Sequence, residues 1–177
     1  MDFYKALREV IKKEVIPHHD GIIEGGIGNN FARYDYFRGM GYEKWYIGIN
    51  LEKPNLLVRE GLIYREGNCF DVKLLTSILD EYQLKSSIFI TNAALADCLL
   101  LDGVNIENVV EALTKVFKEQ LHLKPAGKFP ITISRVNFPE QTDNKEYHKF
   151  MRFLEESRKR GWKEKVWRNI ILLKKEV

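Results

Sequence analysis

The chain has little cysteine: Cys69 and Cys98 stand alone, each beside apolar residues, with no CxxC spacing and no Cys/His cluster. That scarcity excludes a disulfide framework and a cysteine-built zinc site, and it reads as two buried thiols in a reducing compartment. No run of eighteen apolar residues is present, which excludes an obvious membrane-spanning helix. The absence of a basic n-region followed by an apolar h-region and cleavage site adds to the expectation of a cytoplasmic protein with no membrane partner. Repeats, heptads and low-complexity tracts are also missing. The Gly25-Gly26-Ile27-Gly28 cluster does not complete GxGxxG, and no GK[ST] ending, GxSxG elbow or catalytic histidine beside either cysteine follows.

What is present is an ordinary globular composition. Hydrophobic residues make up 45% and charged residues 30% of 177 positions, enough to bury a core and to suit one compact domain over 1–177. The net charge of +3 is unevenly placed: residues 141–177 carry eleven Lys or Arg against six Asp or Glu, leaving the preceding part slightly acidic. This marks 141–177 as a basic, helical C-terminal subregion.

Apolar spacing predicts a first helix over 2–16, ended by Pro17. The β-rich runs Trp45–Ile49, Leu56–Arg59 and Leu62–Arg65 read as an antiparallel meander turning at Lys53-Pro54-Asn55. A helix follows Asp71, a short strand covers 86–91, and helical segments cover 93–101 and 105–121, the last capped by Asn105. Phe129–Val136 reads as a strand, and two final helices as 145–159 and 162–173. The expectation is an α+β fold: a small, mostly antiparallel sheet flanked by several helices, two of them C-terminal.

Several groups could carry chemistry. The glycine cluster at 25–28 suits a tight turn or a backbone approaching a ligand. Arg33 and Arg38, among the aromatics Tyr34, Tyr36 and Phe37, could contact a partner or a nucleic acid. Asp71 and Lys73 have the acidic-x-Lys spacing of metal-assisted phosphodiester hydrolysis if an upstream acid such as Glu60 joins them, and otherwise cap and flank a helix start. His18-His19-Asp20 concentrates potential ligands but reads as a solvated loop. The tail offers Arg158, Arg160, Trp162, Lys163, Trp167 and Arg168 as a basic and aromatic contact surface.

With no catalytic motif in view, the leading expectation is a non-enzymatic interaction or regulatory module with no cofactor, binding a protein or a second copy of itself. The alternative is a nucleic-acid-binding protein, in its sharper form a nuclease using Mg at Asp71, Lys73 and Glu60.

Overall fold

A computed structural model describes residues 3–28, 31–52, 59–92, 94–123, 145–167 and 170–176. The elements in chain order are α1 (Phe3–Val10), β1 (Gly21–Gly25), α2 (Ala32–Gly39), β2 (Trp45–Asn50), β3 (Leu62–Glu66), α3 (Val72–Glu81) and β4 (Ser87–Asn92). They continue with α4 (Ala94–Leu100), α5 (Ile106–Val116), β5 (Glu119–Leu123), α6 (Lys145–Lys159), β6 (Trp162–Trp167) and β7 (Ile170–Lys175). A π-helical turn at Ile11–Val15 closes α1, with Ile16 N–H donating to Ile11 O at 2.9 Å.

Seven strands form one sheet in the order β3-β2-β1-β4-β5-β7-β6. The first five in sequence pair in parallel, and β7 alone runs against its neighbours, antiparallel to both β5 and β6. Alternation along each strand sorts side chains to two cores. Ile22, Tyr46, Ile88, Ile90, Leu121 and Leu172 face α1 and α2, while Ile23, Ile47, Phe89, Ile171 and Leu173 face α3 through α6. A strand covered on both faces reads as a nearly continuous apolar run.

This corrects the expected architecture: the sheet is large and mostly parallel, not small and mostly antiparallel. The strands at Trp45–Asn50 and Leu62–Glu66 are not the first and third of a meander, because β2 and β3 are direct neighbours paired in parallel, with Tyr46 opposite Leu62 and Asn50 opposite Glu66. The turn expected at 53–55 and nearly all of the strand expected at 56–59 lie outside the described residues. The second C-terminal helix is a β-hairpin. Its residues alternate, with Trp162 and Val166 packed toward α6 and Trp167 toward α1, and Ile170–Leu173 buried on both sides. The helix expected through Leu121 stops at Val116, and β5 begins at Glu119. Helices α3, α4, α5 and α6 lie where the apolar spacing puts them, and Asn105 caps α5 by accepting from Asn108 N–H at 3.0 Å. The strand expected at 129–136 lies outside the described residues. Among the described residues no helix is long and apolar enough to cross a membrane.

Candidate functional site

The strand order reverses between β1 and β4, which leave the sheet centre toward opposite edges. In open α/β sheets such a switch point opens a crevice beyond the carboxyl ends of the strands, where ligands bind. Here a cavity of about 380 Å³ lies there. Gly26 from the turn after β1, Asn50 and Leu51 from the end of β2, Asn68 and Cys69 from the turn after β3, and Leu101 after α4 line it.

Local sequence explains the opening. Gly26 and Gly28 have φ of 69° and 60°, a left-handed conformation that glycine adopts without strain. A Cβ on Gly28 would meet nothing within 4 Å, so the turn is bare on that side. Gly25 is held differently: a Cβ there would come within 2.7 Å of Phe89 and 3.0 Å of Cys69 Sγ, so its absence lets the turn after β3 close over β1. Gly26 and Ile27 N–H donate to Ile49 O at 2.8 and 3.2 Å, and Gly67 N–H to Asn50 O at 2.8 Å. The Tyr64 hydroxyl donates to Gly28 O at 3.3 Å.

Among the described residues the cavity lining carries no charged side chain. Its polar groups are main chain, two amides and two thiols. Asn68 Oδ1 is engaged by Phe70 N–H at 2.9 Å, which leaves the side-chain NH2 as its donor. Burial, with the neighbouring Cys98 thiol adding to it, pushes Cys69 up to about 12, and burial raises Cys98 as well. Both thiols stay protonated at neutral pH, so neither supplies charge or a thiolate nucleophile.

Two buried polar groups support this edge from below. Glu24, on β1, is fully buried and receives Arg33 Nε on Oε1 and the Tyr46 hydroxyl on Oε2, the latter at 2.6 Å. His122, on β5 opposite Thr91, is also fully buried, and burial lowers it to about 3. The ring is therefore neutral. Nε2–H donates to Gln120 Oε1 at 3.0 Å, and Nδ1 accepts from the Thr91 hydroxyl at 2.7 Å.

The residues singled out in the sequence fall elsewhere. Arg33 lies in the first turn of α2 against Glu24, and Arg38 closes that helix by donating to Tyr42 O at 2.7 Å and Gly61 O at 3.2 Å. The segment is a helix, with Tyr34 and Phe37 buried. Asp71 caps α3, accepting from Lys73 N–H at 2.9 Å. Glu60 precedes β3 and Asp71 follows it, so a five-residue strand of roughly 16 Å separates the acids expected to share Mg. Among the described residues no three His, Cys, Asp or Glu side chains converge on a metal position. His19 is not solvated: it is buried, with Nε2 2.7 Å from Glu119 Oε2.

The tail residues are mostly matched by acids. Arg158 meets Glu164 at 2.6 Å, Arg160 meets Glu156 at 3.2 Å, and Lys163 meets Glu176 at 2.5 Å. Trp162 is buried, its indole N–H donating to Thr114 Oγ1 at 2.8 Å, so it offers no stacking face. Trp167 is half-buried under Lys165, and Arg168 lies outside the described residues. Sequence reasoning passed over Asn50, Leu51, Asn68 and Leu101. The available signal was the glycine turn following the short apolar run Ile22-Ile23, a strand end opening into a tight turn.

No family model and no curated protein matches the sequence. Solved structures do match the fold. The MycE methyltransferase of the mycinamycin biosynthetic pathway, solved with Mg and SAH, superposes with a TM-score of 0.54 at 10% identity, over 98% of this chain and 46% of that one. An O-methyltransferase family protein from Burkholderia thailandensis gives 0.60 at 13% identity, over 97% and 56%. The Bordetella bronchiseptica enzyme WbmH, solved with NAD+, gives 0.52 at 16% identity, over 81% and 54%. The chain thus spans about half the length of these structures, and the likeness is one of fold. The expectation of a non-enzymatic, regulatory interaction module with no cofactor is corrected by this likeness: the fold is one shared with MycE, solved with Mg and SAH, and with WbmH, solved with NAD+. The nuclease alternative and its Mg fall on the separation of Glu60 from Asp71.

Proposed function

We propose that the chain is an S-adenosylmethionine-dependent methyltransferase domain whose cavity beside Gly26–Gly28 receives the cofactor. The observation that carries this reading is the coincidence of two features. The reversed β7 sits between β5 and β6, and the cavity at the switch point is mostly apolar and uncharged among the described residues. The solved methyltransferases of the same fold support it.

A nicotinamide dinucleotide is the obvious competitor, and three features disfavour it. Dinucleotide-binding sheets of this kind run 3-2-1-4-5-6 without a reversed strand before the last. The third glycine of their fingerprint allows close helix–strand packing, and here that position is the bulky, buried Phe31. A pyrophosphate is also held by main-chain N–H groups of such a turn, and here those of Gly26 and Ile27 are already given to Ile49 O.

The residues present fit an adenosyl group. Leu51 and Leu101 provide apolar surface for a base, Asn50 and Asn68 provide amides for a ribose hydroxyl or a base edge, and the turn lets main-chain groups approach the amino-acid portion. The bound cofactor supplies an electrophilic methyl group. The protein's part is to hold it beside an acceptor and exclude water, which positioning alone can make productive.

Isothermal titration with S-adenosylhomocysteine and, separately, NAD+ tests the reading. The expected result is saturable binding of the former and none of the latter, with about 2.7 kcal/mol of added stability at a hundredfold excess over Kd. Binding of NAD+ with no response to S-adenosylhomocysteine would overturn it.

A further inference from the structure

We infer that Glu24 is a positioning residue whose charge is consumed inside the protein, and that Arg33 acts through it to hold the Gly26–Gly28 turn open for a ligand. This rests on the methyltransferase reading only for the identity of that ligand.

Glu24 lies two residues before Gly26, and alternation sends its side chain to the face of Ile22, away from Gly25 and the cavity beside Cys69. It is fully buried, where an unpaired carboxylate is untenable. Arg33 and Tyr46 take one oxygen each. The same guanidinium extends Nη2 to within 3.5 Å of Ile27 O, so one side chain touches the strand before the turn and the turn itself. Tyr64 holds the next carbonyl, that of Gly28.

The placement of Arg33 is unusual on helical grounds. A cation in the first turn opposes the helix dipole, so helix formation does not explain it, whereas Glu24 does. Burial raises the Glu24 carboxyl above its ordinary value, with Arg33 and Tyr46 pulling it back in part. Arg33, Tyr46 and Tyr64 are the titratable groups set against it among the described residues. Removing Arg33 raises it further and leaves a carboxylate that, on ionising, must find water or another partner by displacing the turn.

Hydrogen-exchange protection factors, measured on ligand-free protein at pH 6 and pH 8, and S-adenosylhomocysteine titration are to be compared for wild type, Arg33→Met, Arg33→Lys, Tyr46→Phe and Glu24→Gln/Arg33→Met. In Arg33→Met, protection of the Gly26 and Ile27 amides should fall at least tenfold, with β4 and β5 amides unchanged, and affinity should fall at least tenfold. Both losses should be larger at the higher pH, because a buried carboxyl that has lost its guanidinium gains charge as pH rises. The double variant should lose that pH dependence, and Arg33→Lys should restore part of the protection. Should Arg33→Met fail to fold, Tyr46→Phe carries the test, with a smaller loss confined to the same amides. Wild-type protection at the turn in these variants, or a loss spread evenly over the sheet, overturns the inference. Failure of wild type to bind S-adenosylhomocysteine, with the exchange pattern as expected, rejects the methyltransferase reading and leaves the positioning role standing.

Discussion

At the amino ends of the strands polar side chains saturate one another, whereas at the carboxyl ends glycines and amides leave a cavity. Before β1, Asp20 accepts from the Lys85 and Ser86 N–H groups at 2.9 and 3.1 Å, and His19 meets Glu119 at the start of β5. Lys174, opposite Glu119 on β7, reaches Glu14 at 2.6 Å and Glu119 at 3.4 Å. This network ties the connection after α1 to three strands. At the other end of the strands the turns that line the cavity pair main chain to main chain, Gly26 N–H with Ile49 O and Gly67 N–H with Asn50 O, and among the described residues no ion pair crosses the lining. The difference separates roles: one edge spends charged side chains on cohesion, and the other closes its turns through the main chain around a cavity.

Substitutions at the two edges should therefore separate stability from binding, and the one position where both fail together is Gly25. Any Cβ there collides with Phe89, on the central strand β4, and with Cys69, in the turn after β3. Gly25→Val should cost about 2–3 kcal/mol in urea unfolding by overpacking, and it should also abolish S-adenosylhomocysteine binding by displacing the turn after β3. Unchanged stability would mean that this turn gives way freely and is no fixed wall of the cavity.

At the amino edge, Glu119→Ala removes a charged hydrogen-bond partner from a buried histidine and should cost about 1.5–2 kcal/mol, with ligand affinity unchanged. The pH profile gives a second check. Burial pushes the Glu119 carboxyl upward, but the hydrogen bonds and charges of His19 and Lys174 outweigh it and leave it below its ordinary value. A depressed carboxyl contributes stability that is present above the unfolded pKa and lost as pH falls through the folded one. Wild type should thus lose stability from the ordinary carboxylate range downward, and Glu119→Ala should lose less over the same window. At the carboxyl edge the reverse holds. Leu101, half-exposed on the cavity rim, can accept a charge without unfolding the chain, so Leu101→Asp should weaken S-adenosylhomocysteine about tenfold, or about 1.4 kcal/mol, at unchanged thermal stability.

The helices were legible because their signal is local. Leu75 and Ile78 repeat at helical spacing after a capping Asp71, and Val109, Val110 and Leu113 do so after Asn105. The sheet was not, because strand direction depends on pairings distant in sequence: nothing near Trp45 states that Tyr46 will lie beside Leu62 in parallel. β1 was hidden by its own burial, since Gly21-Ile22-Ile23-Glu24-Gly25 has a charge and two glycines where a buried strand should be apolar. The charge makes sense only once Arg33 arrives from the next helix. The glycine turn was visible as a turn but not as a site, because the residues that make it one, Asn50, Asn68 and Leu101, come from three other segments.

The tail gives the smallest effect, and it bears on how the basic subregion is understood. Lys163 and Glu176 form an ion pair on the β6–β7 hairpin with both side chains mostly in water, 66% and 70% exposed. Such pairs gain little because solvent already satisfies each charge and ordering two long side chains costs entropy. Lys163→Gln should therefore change stability by less than about 0.5 kcal/mol and leave S-adenosylhomocysteine affinity untouched, since the cavity draws nothing from β6. Chemical denaturation in low and high salt reads this directly. A larger loss at low salt that vanishes at high salt would mean that the hairpin charges act as a network through Lys165, Lys174 and Glu14, extending the cohesive edge into the C-terminal strands.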